Sequence, residues 1–256
     1  MQTNLAGKVA FVTGSSKGIG KAIALKLAQN GADVAVNARN AEPAVAVRQE
    51  IEKLNRRSLF EAGDICIYDD MKRAVGDILH QWDRLDILVA TGSPGYPPPS
   101  LFHEMDPELY LENFRSRLIS RLFPIRAALD HMKDKGNGKI IIITTDAGRV
   151  PTPGESLIGA PAAGLVLMTK VLAKEFSRWK IHINTICVSV VMDTPGYDKA
   201  VQSGMGKIFE RAAKRMPFYP VMPDDVAEMA LFLSSPESDR ITGQIFSVNG
   251  GLSFPG

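Results

Sequence analysis

The residues with the clearest chemical meaning are the glycines of "TGSSKGIG", Thr13–Gly20, which follow an apolar segment and open a helical one. Glycine lets a backbone turn tightly and approach a pyrophosphate, which binds the free N–H groups and positive dipole at a helix N-terminus. Within a strand–turn–helix unit, this spacing indicates a dinucleotide site. The first candidate cofactor-binding residues are Thr13, Gly14, Ser16, Lys17, Gly18, Ile19 and Gly20.

The residues after the second apolar segment indicate which dinucleotide is bound. A carboxylate there would bind a ribose 2′-hydroxyl and repel a 2′-phosphate, but "VNARN" places Ala38 and then Arg39 at this point. Arg39 and Lys17 favour a 2′-phosphate and therefore NADP(H), the alternative being two solvated surface cations. Asp64 in "AGDI" is a candidate acceptor for the adenine amino group, or alternatively a loop cap.

Short β-rich segments that alternate with helical patterns must position these residues. The predicted strands are Lys8–Gly14, Ala32–Ala38, Leu85–Thr91, Lys139–Thr145, Ile181–Val188 and Gln244–Gly250. Several are apolar on both faces, as strands between two helical layers are. Helical spacing predicts helices in Gly20–Gly31, Met71–Trp82 and Ala162–Trp179.

This alternation predicts an α/β fold with a doubly wound parallel sheet, in one domain over residues 1–256. We expect the segments Thr91–Ser100 and Met192–Pro223 to be loops over the carboxyl ends of the strands. Ligands bind along that edge in open α/β sheets, so the chemistry should be found there.

Composition excludes several classes of function. The net charge of +2 gives no electrostatic case for nucleic acid or a membrane surface. No apolar run approaches the ~20 residues of a membrane span, and no secretory signal is visible, so we expect a soluble cytoplasmic protein. Two cysteines are too few for a disulfide framework, and the four histidines lack metal-ligand spacing, so no metal site is expected.

The chain resembles the short-chain dehydrogenase/reductases over nearly its whole length. The stretches that carry the resemblance are Gly7–Val34, "LDILV", "GKIIIITT", "INTI" and Met222–Gly251 with its ITGQ…VNGG pattern. The resemblance implies a Rossmann-type fold, an NAD(P)(H) cofactor, hydride transfer between that cofactor and a carbonyl or alcohol, and a homotetramer or homodimer. The family's N-N-A-G motif reads Ala90-Thr91-Gly92-Ser93 here, which adds Ala90 and Gly92 to the cofactor-binding candidates.

The positions that match the family's catalytic residues have changed. Thr145 stands at the serine, and Arg117 stands on or near the helix asparagine. Counting back from Gly164, Ile158 stands at the tyrosine and Ala162 at the lysine. Reduction of a neutral ketone needs a proton, which the family's tyrosine supplies with its pKa lowered by the lysine. Because isoleucine has no proton to give, we do not expect ordinary ketone or alcohol chemistry by that mechanism.

Three interpretations of the changed positions remain open. The first is NADP(H)-linked hydride transfer to an iminium ion, an enone or another acceptor that does not need the tyrosine. Asp146 would then stabilise a cation or act as an acid, Thr145 would orient the substrate, and Arg117 would hold an oxyanion or carboxylate. Asp146 is equally interpretable as a turn residue, and Arg117 as part of a surface or interface ion pair.

The second interpretation is a non-redox cyclase or isomerase, for which the loop residues Arg149, Glu155, Asp193 and Tyr197 are candidates. The third is a catalytically inactive NADP(H)-binding or structural subunit, with Ala162–Trp179 as an interface helix or alternatively as a core helix. "DAGR…GE" also resembles family variants that act on acyl-CoA esters, so an acyl-CoA ester joins imines and enones among the candidate small-molecule substrates.

Overall fold

Seven apolar segments form one parallel β-sheet in the computed structural model, which describes residues 3–92 and 98–255. The strands are β1 (Val9–Val12), β2 (Asp33–Ala38), β3 (Ser58–Ala62), β4 (Ile87–Ala90), β5 (Gly138–Thr145), β6 (Ile181–Val188) and β7 (Ile245–Val248). Their order is β3-β2-β1-β4-β5-β6-β7. The strand order therefore reverses between β1 and β4, which confirms the predicted doubly wound sheet of a single Rossmann-type domain.

Helices cover both faces of this sheet. They are α1 (Gly18–Gln29), α2 (Ala41–Glu52), α3 (Tyr68–Trp82), α4 (Tyr110–Phe114), α5 (Ser120–Lys135), α6 (Ser156–Phe176), α7 (Pro195–Val201), α8 (Gly206–Lys214) and α9 (Pro223–Ser234). Alternate residues of β1 enter opposite layers of the core: Ala10 and Val12 pack with α1 and α9, whereas Val9 and Phe11 pack with α3 and α5. Burial on both faces explains why the strands read as continuous apolar runs.

The six strands predicted from the sequence are all present, and β6 has the predicted bounds. β1 and β4 end earlier than predicted because Thr13 and Thr91 already belong to the loops at the carboxyl edge. Gly31 has φ +101°, a conformation that favours glycine, and it follows the end of α1 as predicted. α6 begins at Ser156 and contains Pro161, whereas helical spacing predicted a helix only from Ala162.

The prediction that Met192–Pro223 is a loop is wrong, because this segment contains α7 and α8. Thr194 caps α7 by accepting a hydrogen bond from the Tyr197 N–H (3.1 Å), with Pro195 in the first turn. The segment nevertheless lies over the carboxyl edge, as expected. Within the other predicted loop, Thr91–Ser100, residues 93–97 lie outside the described part of the chain.

One described helix, Ser156–Trp179, is long and apolar enough to cross a membrane by length and composition alone. Its Leu165, Ala173 and Phe176 side chains are buried in the layer of the core shared with α3 and α5. α6 therefore has the packing expected of a core helix in an α/β domain.

Candidate active site

A cavity of about 530 Å³ lies at the carboxyl edge of the sheet, across the point where the strand order reverses. Residues that follow β1 to β6 line it, together with residues of α7 and α8. This volume lies within the range of about 300–1,000 Å³ that is usual for small-molecule sites. We call the part of the cavity beside Gly14–Gly20 and Arg39 the nucleotide end. We call the part beside Thr145, Glu155 and Ile158 the substrate end.

The glycine turn at the nucleotide end is held by direct backbone contact between two loops. Gly14 has φ +57° and Gly92 has φ +96°, and both values lie in the left-handed region. A Cβ on Gly14 would overlap the Gly92 Cα, and a Cβ on Gly92 would lie 2.8 Å from the Gly14 Cα. Two glycines are therefore required where the loops after β1 and β4 meet.

The N-terminus of α1 faces the same cavity. The helix begins at Gly18, no side chain caps its first N–H groups, and its first turn contains no acidic residue. Gly18, Ile19 and Gly20 line the cavity. The uncapped N–H groups and the positive end of the helix dipole fit a pyrophosphate.

Asn37, in β2, braces the glycine turn and was missed by the sequence analysis. Its side-chain oxygen accepts a hydrogen bond from the Gly14 N–H (3.2 Å), and its Nδ2 donates to the Gly63 carbonyl (3.2 Å). Its own N–H donates to Ser15 Oγ (3.0 Å). A polar residue inside the apolar "VAVNA" was the available signal, since a buried amide must find partners.

Charged side chains border the nucleotide end beyond β2 and β3. Lys17, Arg39 and Asp64 all line the cavity. Arg39 Nη1 lies 3.9 Å from Asp64 Oδ2, while Asp64 Oδ1 accepts a hydrogen bond from the Cys66 N–H (2.8 Å). Asp64 is thus a loop cap whose second oxygen remains directed towards Arg39.

The structure separates the cofactor-binding candidates into two groups. Those that line the cavity are Gly14, Ser16, Lys17, Gly18, Ile19, Gly20, Arg39, Asp64 and Gly92. Thr13 and Ala90 lie behind them, both fully buried. The Thr13 hydroxyl donates to the Thr91 carbonyl (2.7 Å) and accepts from the Thr91 N–H (2.9 Å), so Thr13 braces the loop after β4.

Asp146 lies outside the described lining of the cavity and belongs to a buried polar cluster behind it. Its carboxylate accepts hydrogen bonds from Arg149 Nη2 (2.7 Å), Ser247 Oγ (2.8 Å), Asn249 Nδ2 (3.0 Å) and Ser189 Oγ (3.3 Å). These bonds direct Asp146 and Arg149 towards β7 and the residues that follow it. The arrangement differs from the predicted turn, in which the carboxylate would bond its own backbone, and it supports a structural role for Asp146.

Thr145 and Ile158 line the substrate end of the cavity, whereas Ala162 is buried behind it. Thr145 Oγ1 accepts a hydrogen bond from the Ala147 N–H (3.2 Å), which starts the short 3₁₀ turn after β5. Gly148 of that turn packs directly on the backbone of α6, where an added Cβ would lie 2.9 Å from the Ala162 Cβ. The turn and α6 are thereby held in fixed register.

Arg117 reaches the cavity from a π-helical segment, Arg115–Ile119, between α4 and α5. Pro124 has no N–H to donate to the Ser120 carbonyl, and Ser120 Oγ donates to the Ser116 carbonyl (2.6 Å). Both features weaken regular α-helical bonding, and π segments are frequent at functional sites. Arg121, four residues later, also lines the cavity and donates from Nε to the Ile143 carbonyl (3.0 Å).

Glu155 is the ionisable carboxyl group at the substrate end among the described lining residues. Burial raises its pKa to about 7, and the positive charge of Arg117 opposes this increase. Of the other loop candidates, Tyr197 lines the cavity, whereas Asp193 is exposed and lies outside the described lining. Within the described ranges, no group of three or more histidine, cysteine, aspartate or glutamate residues is arranged to hold a metal ion.

Comparison with known proteins gives matches over almost the entire chain. A family model described as enoyl-(acyl carrier protein) reductase matches residues 14–253. A 3-oxoacyl-[acyl-carrier-protein] reductase of Thermotoga maritima is 30% identical over 97% of this chain and 98% of its own length. A cyclohexanol dehydrogenase of Rhodococcus is 31% identical, with coverage of 98% and 97% respectively.

The same architecture occurs in solved structures. A dehydrogenase/reductase from Sinorhizobium meliloti superimposes with a TM-score of 0.87 at 31% sequence identity, covering 98% of this chain and 97% of its own. This coverage includes the sheet and its flanking helices.

Proposed function

The chain belongs to the short-chain dehydrogenase/reductase family, and we propose that it is an NADP(H)-dependent oxidoreductase with an atypical substrate end. The observation that carries this proposal is that one continuous cavity contains the glycine turn and Arg39 as well as Thr145, Ile158 and Arg117. The relatives of this chain named above are reductases and dehydrogenases, which supports hydride transfer. NADPH would supply the hydride when bound.

The nucleotide end has groups for each charged part of NADP(H). We assign the pyrophosphate to the glycine turn and the N-terminus of α1, and the 2′-phosphate to Lys17 and Arg39. Asp64 would accept a hydrogen bond from the adenine amino group, and Gly92, with Ala90 behind it, would border the cofactor at the loop after β4. Thr13 and Asn37 would act indirectly, by holding these loops in place.

The substrate end favours an acceptor that does not depend on the family's tyrosine and lysine. An enone, an imine or an acyl-CoA ester with a conjugated double bond belongs to this class. Thr145 would orient the substrate through its hydroxyl, and Arg117 would bind an oxygen that gains negative charge. We assign Asp146 a positioning role, because its carboxylate accepts hydrogen bonds from Arg149, from Ser189 after β6, and from Ser247 and Asn249 in and after β7.

Fluorescence titration with NADPH and NADH tests the cofactor assignment. We expect saturable binding with a preference for NADPH, and about a tenfold loss of NADPH affinity in Arg39→Ala and in Lys17→Ala, which corresponds to about 1.4 kcal/mol each. NADH affinity should change less. Lys72→Ala is the matched control, since Lys72 lies on α3 outside the described lining and pairs with Asp69. No saturable signal with either dinucleotide would refute the proposal.

A second candidate is an NADP(H)-binding subunit without turnover, which the aliphatic side chains of Ile158 and Ala162 favour. Oxidation of NADPH in the presence of enones, imines and ketones separates the two candidates. Turnover of any of these acceptors would exclude the inactive subunit. Conversion of substrate without any net change in NADPH would instead indicate the cyclase or isomerase alternative.

We also propose that the chain forms a homodimer or homotetramer. Leu111 of α4 is 84% exposed and Leu167 of α6 is 64% exposed, and the two helices contact each other. Exposed apolar side chains on adjacent helices are typical of subunit interfaces. Sedimentation equilibrium would detect the oligomer, and Leu167→Glu should shift it towards the monomer.

The small net charge favours a small-molecule substrate over nucleic acid or a membrane surface, and we propose a cytoplasmic location.

A further inference from the structure

Glu155 occupies a position that the family's catalytic pattern does not use. It immediately precedes α6, and its carbonyl accepts hydrogen bonds from the Ile158 N–H (3.1 Å) and the Gly159 N–H (2.6 Å). These bonds place Glu155 one helical turn before Ile158, and both residues line the cavity. A carboxyl group is therefore present beside the position from which the phenol has been lost.

The surroundings of Glu155 restrict its contact with water. The carbonyl of the preceding residue, Gly154, accepts a hydrogen bond from the Ser100 N–H (2.9 Å). The Met205 side chain packs against Gly154, with its methyl carbon 2.9 Å from where a Cβ would lie. Two segments, one before α4 and one between α7 and α8, thus cover the start of α6. This covering explains why burial is the largest cause of the raised pKa of Glu155.

The charge that acts on Glu155 is positive, since Arg117 opposes the increase in its pKa. Arg121 and Lys199 line the same cavity. Positive side chains stabilise a developing oxyanion and repel a cationic substrate. The substrate end therefore favours a neutral conjugated carbonyl compound and disfavours an iminium ion.

We propose that Glu155 is the proton donor for reduction of an α,β-unsaturated carbonyl substrate, and that Arg117 stabilises the oxygen of the enolate. This inference rests on the proposed function. Hydride from NADPH forms the new C–H bond at the β-carbon, and the C=C electron pair moves to give the enolate. The O–H bond of Glu155 then breaks as a C–H bond forms at the α-carbon. Glu155 is left as a carboxylate and regains its proton from water.

The sign of the pH dependence follows from this role. Because the donor must be protonated, kcat/KM should be at its maximum below the pKa of Glu155 and should fall tenfold per pH unit above about 7. The variant Glu155→Gln should reduce kcat/KM for enone reduction by about 10²–10⁴-fold and abolish this fall. Glu155→Asp keeps a carboxyl group and should restore part of the rate together with the pH dependence.

Glu61 provides a matched control outside the cavity. It is 5% exposed, and burial raises the pKa of its carboxyl group to about 7, with the nearby Asp77 as a second cause. Glu61→Gln therefore removes a carboxyl group of similar pKa but should leave enone reduction and its pH dependence unchanged. Carbon NMR of glutamate labelled at the side-chain carboxyl should show two resonances that titrate near pH 7, one lost in each variant.

The NADPH dissociation constant separates this inference from the proposed function. We expect Glu155→Gln to bind NADPH within about twofold of the unmodified chain, because Glu155 lies at the substrate end. Unchanged binding together with an unchanged rate and pH profile in Glu155→Gln would overturn the inference and leave the proposed function standing. Faster turnover of a cyclic iminium than of an enone would overturn the substrate class. Absence of NADPH binding in the unmodified chain would refute both.

Discussion

The two ends of the cavity are built by different means. At the nucleotide end, backbone groups are central: Gly14 contacts Gly92, and α1 presents uncapped N–H groups. At the substrate end, the side chains of Thr145, Ile158, Glu155 and Arg117 line the cavity, and the proposed function depends on their chemistry. A surface made of backbone tolerates changes elsewhere in the sequence, whereas a surface made of side chains changes its chemistry with each substitution. Under the proposed function, the two ends can therefore differ independently, because substitutions at the substrate end leave the glycine contact at the nucleotide end in place.

The largest expected effect concerns the support behind the substrate end. Asp146→Ala removes a buried carboxylate and leaves the Arg149 guanidinium without its 2.7 Å partner, so we expect the free energy of unfolding to fall by about 3–5 kcal/mol. Chemical denaturation measures this change. Asp130→Ala, on the exposed surface of α5, is the control and should change stability by less than about 1 kcal/mol. A loss of similar size in both variants would contradict the structural role of Asp146.

The next effect concerns the backbone surface of the nucleotide end. Gly14→Ala places a Cβ against Gly92 in a left-handed conformation, so we expect at least about a 100-fold loss of NADPH affinity, or about 2.7 kcal/mol. Fluorescence titration measures it. Gly76→Ala is the matched control, because an added Cβ on α3 meets no atom within 4 Å. It should leave binding unchanged and raise stability slightly. Equal affinities for the two variants would disprove the importance of the contact between loops.

The last effect concerns two carboxyl groups, that of Glu61, which is buried, and that of Glu155, which is partly buried. Burial raises the folded-state pKa of Glu61 and Glu155 from 4.5 to about 7. The folded chain therefore binds more protons between these values, and its stability falls as the pH rises from about 4.5 to 7 and is constant above. Each glutamine variant should remove its own share of this dependence, which is at most about 3 kcal/mol for a pKa increase from 4.5 to about 7. Thermal unfolding at pH 5 and pH 8 tests this, and an unaltered difference between the two pH values would argue against buried, protonated carboxyls.

The nucleotide end was predictable because its determinants are close together in the chain. The turn Thr13–Gly20 lies between β1 and α1, so strand, turn and helix signals occur in about twenty residues. Arg39 follows β2 directly, and its approach to Asp64 follows from parallel pairing of β2 with β3. Asn37 was missed there, since its role depends on contacts with Gly14 and Gly63 across the sheet edge.

The substrate end was less predictable because its determinants are distant in sequence. Asp146 reads as a candidate acid, yet two of its donors, Ser247 and Asn249, lie more than 100 residues away and turn it from the cavity. In the sequence, Glu155 is one loop carboxylate among several. In the structure, Met205 packs against the preceding Gly154 and Arg117 acts electrostatically on Glu155, so its environment is distinct. The π-helical segment that directs Arg117 also has no simple sequence period.

The sequence by itself determined the strand–helix alternation and the glycine turn, because each depends on neighbouring residues or on a motif. Only the tertiary structure decided that the carboxyl group of Glu155, and not that of Asp146, lies in the described lining of the substrate end. A side chain's exposure, partners and pKa depend on segments that fold against it from elsewhere in the chain. For that reason Asp146 became a buried structural anchor and Glu155 a group able to hold a proton near neutral pH.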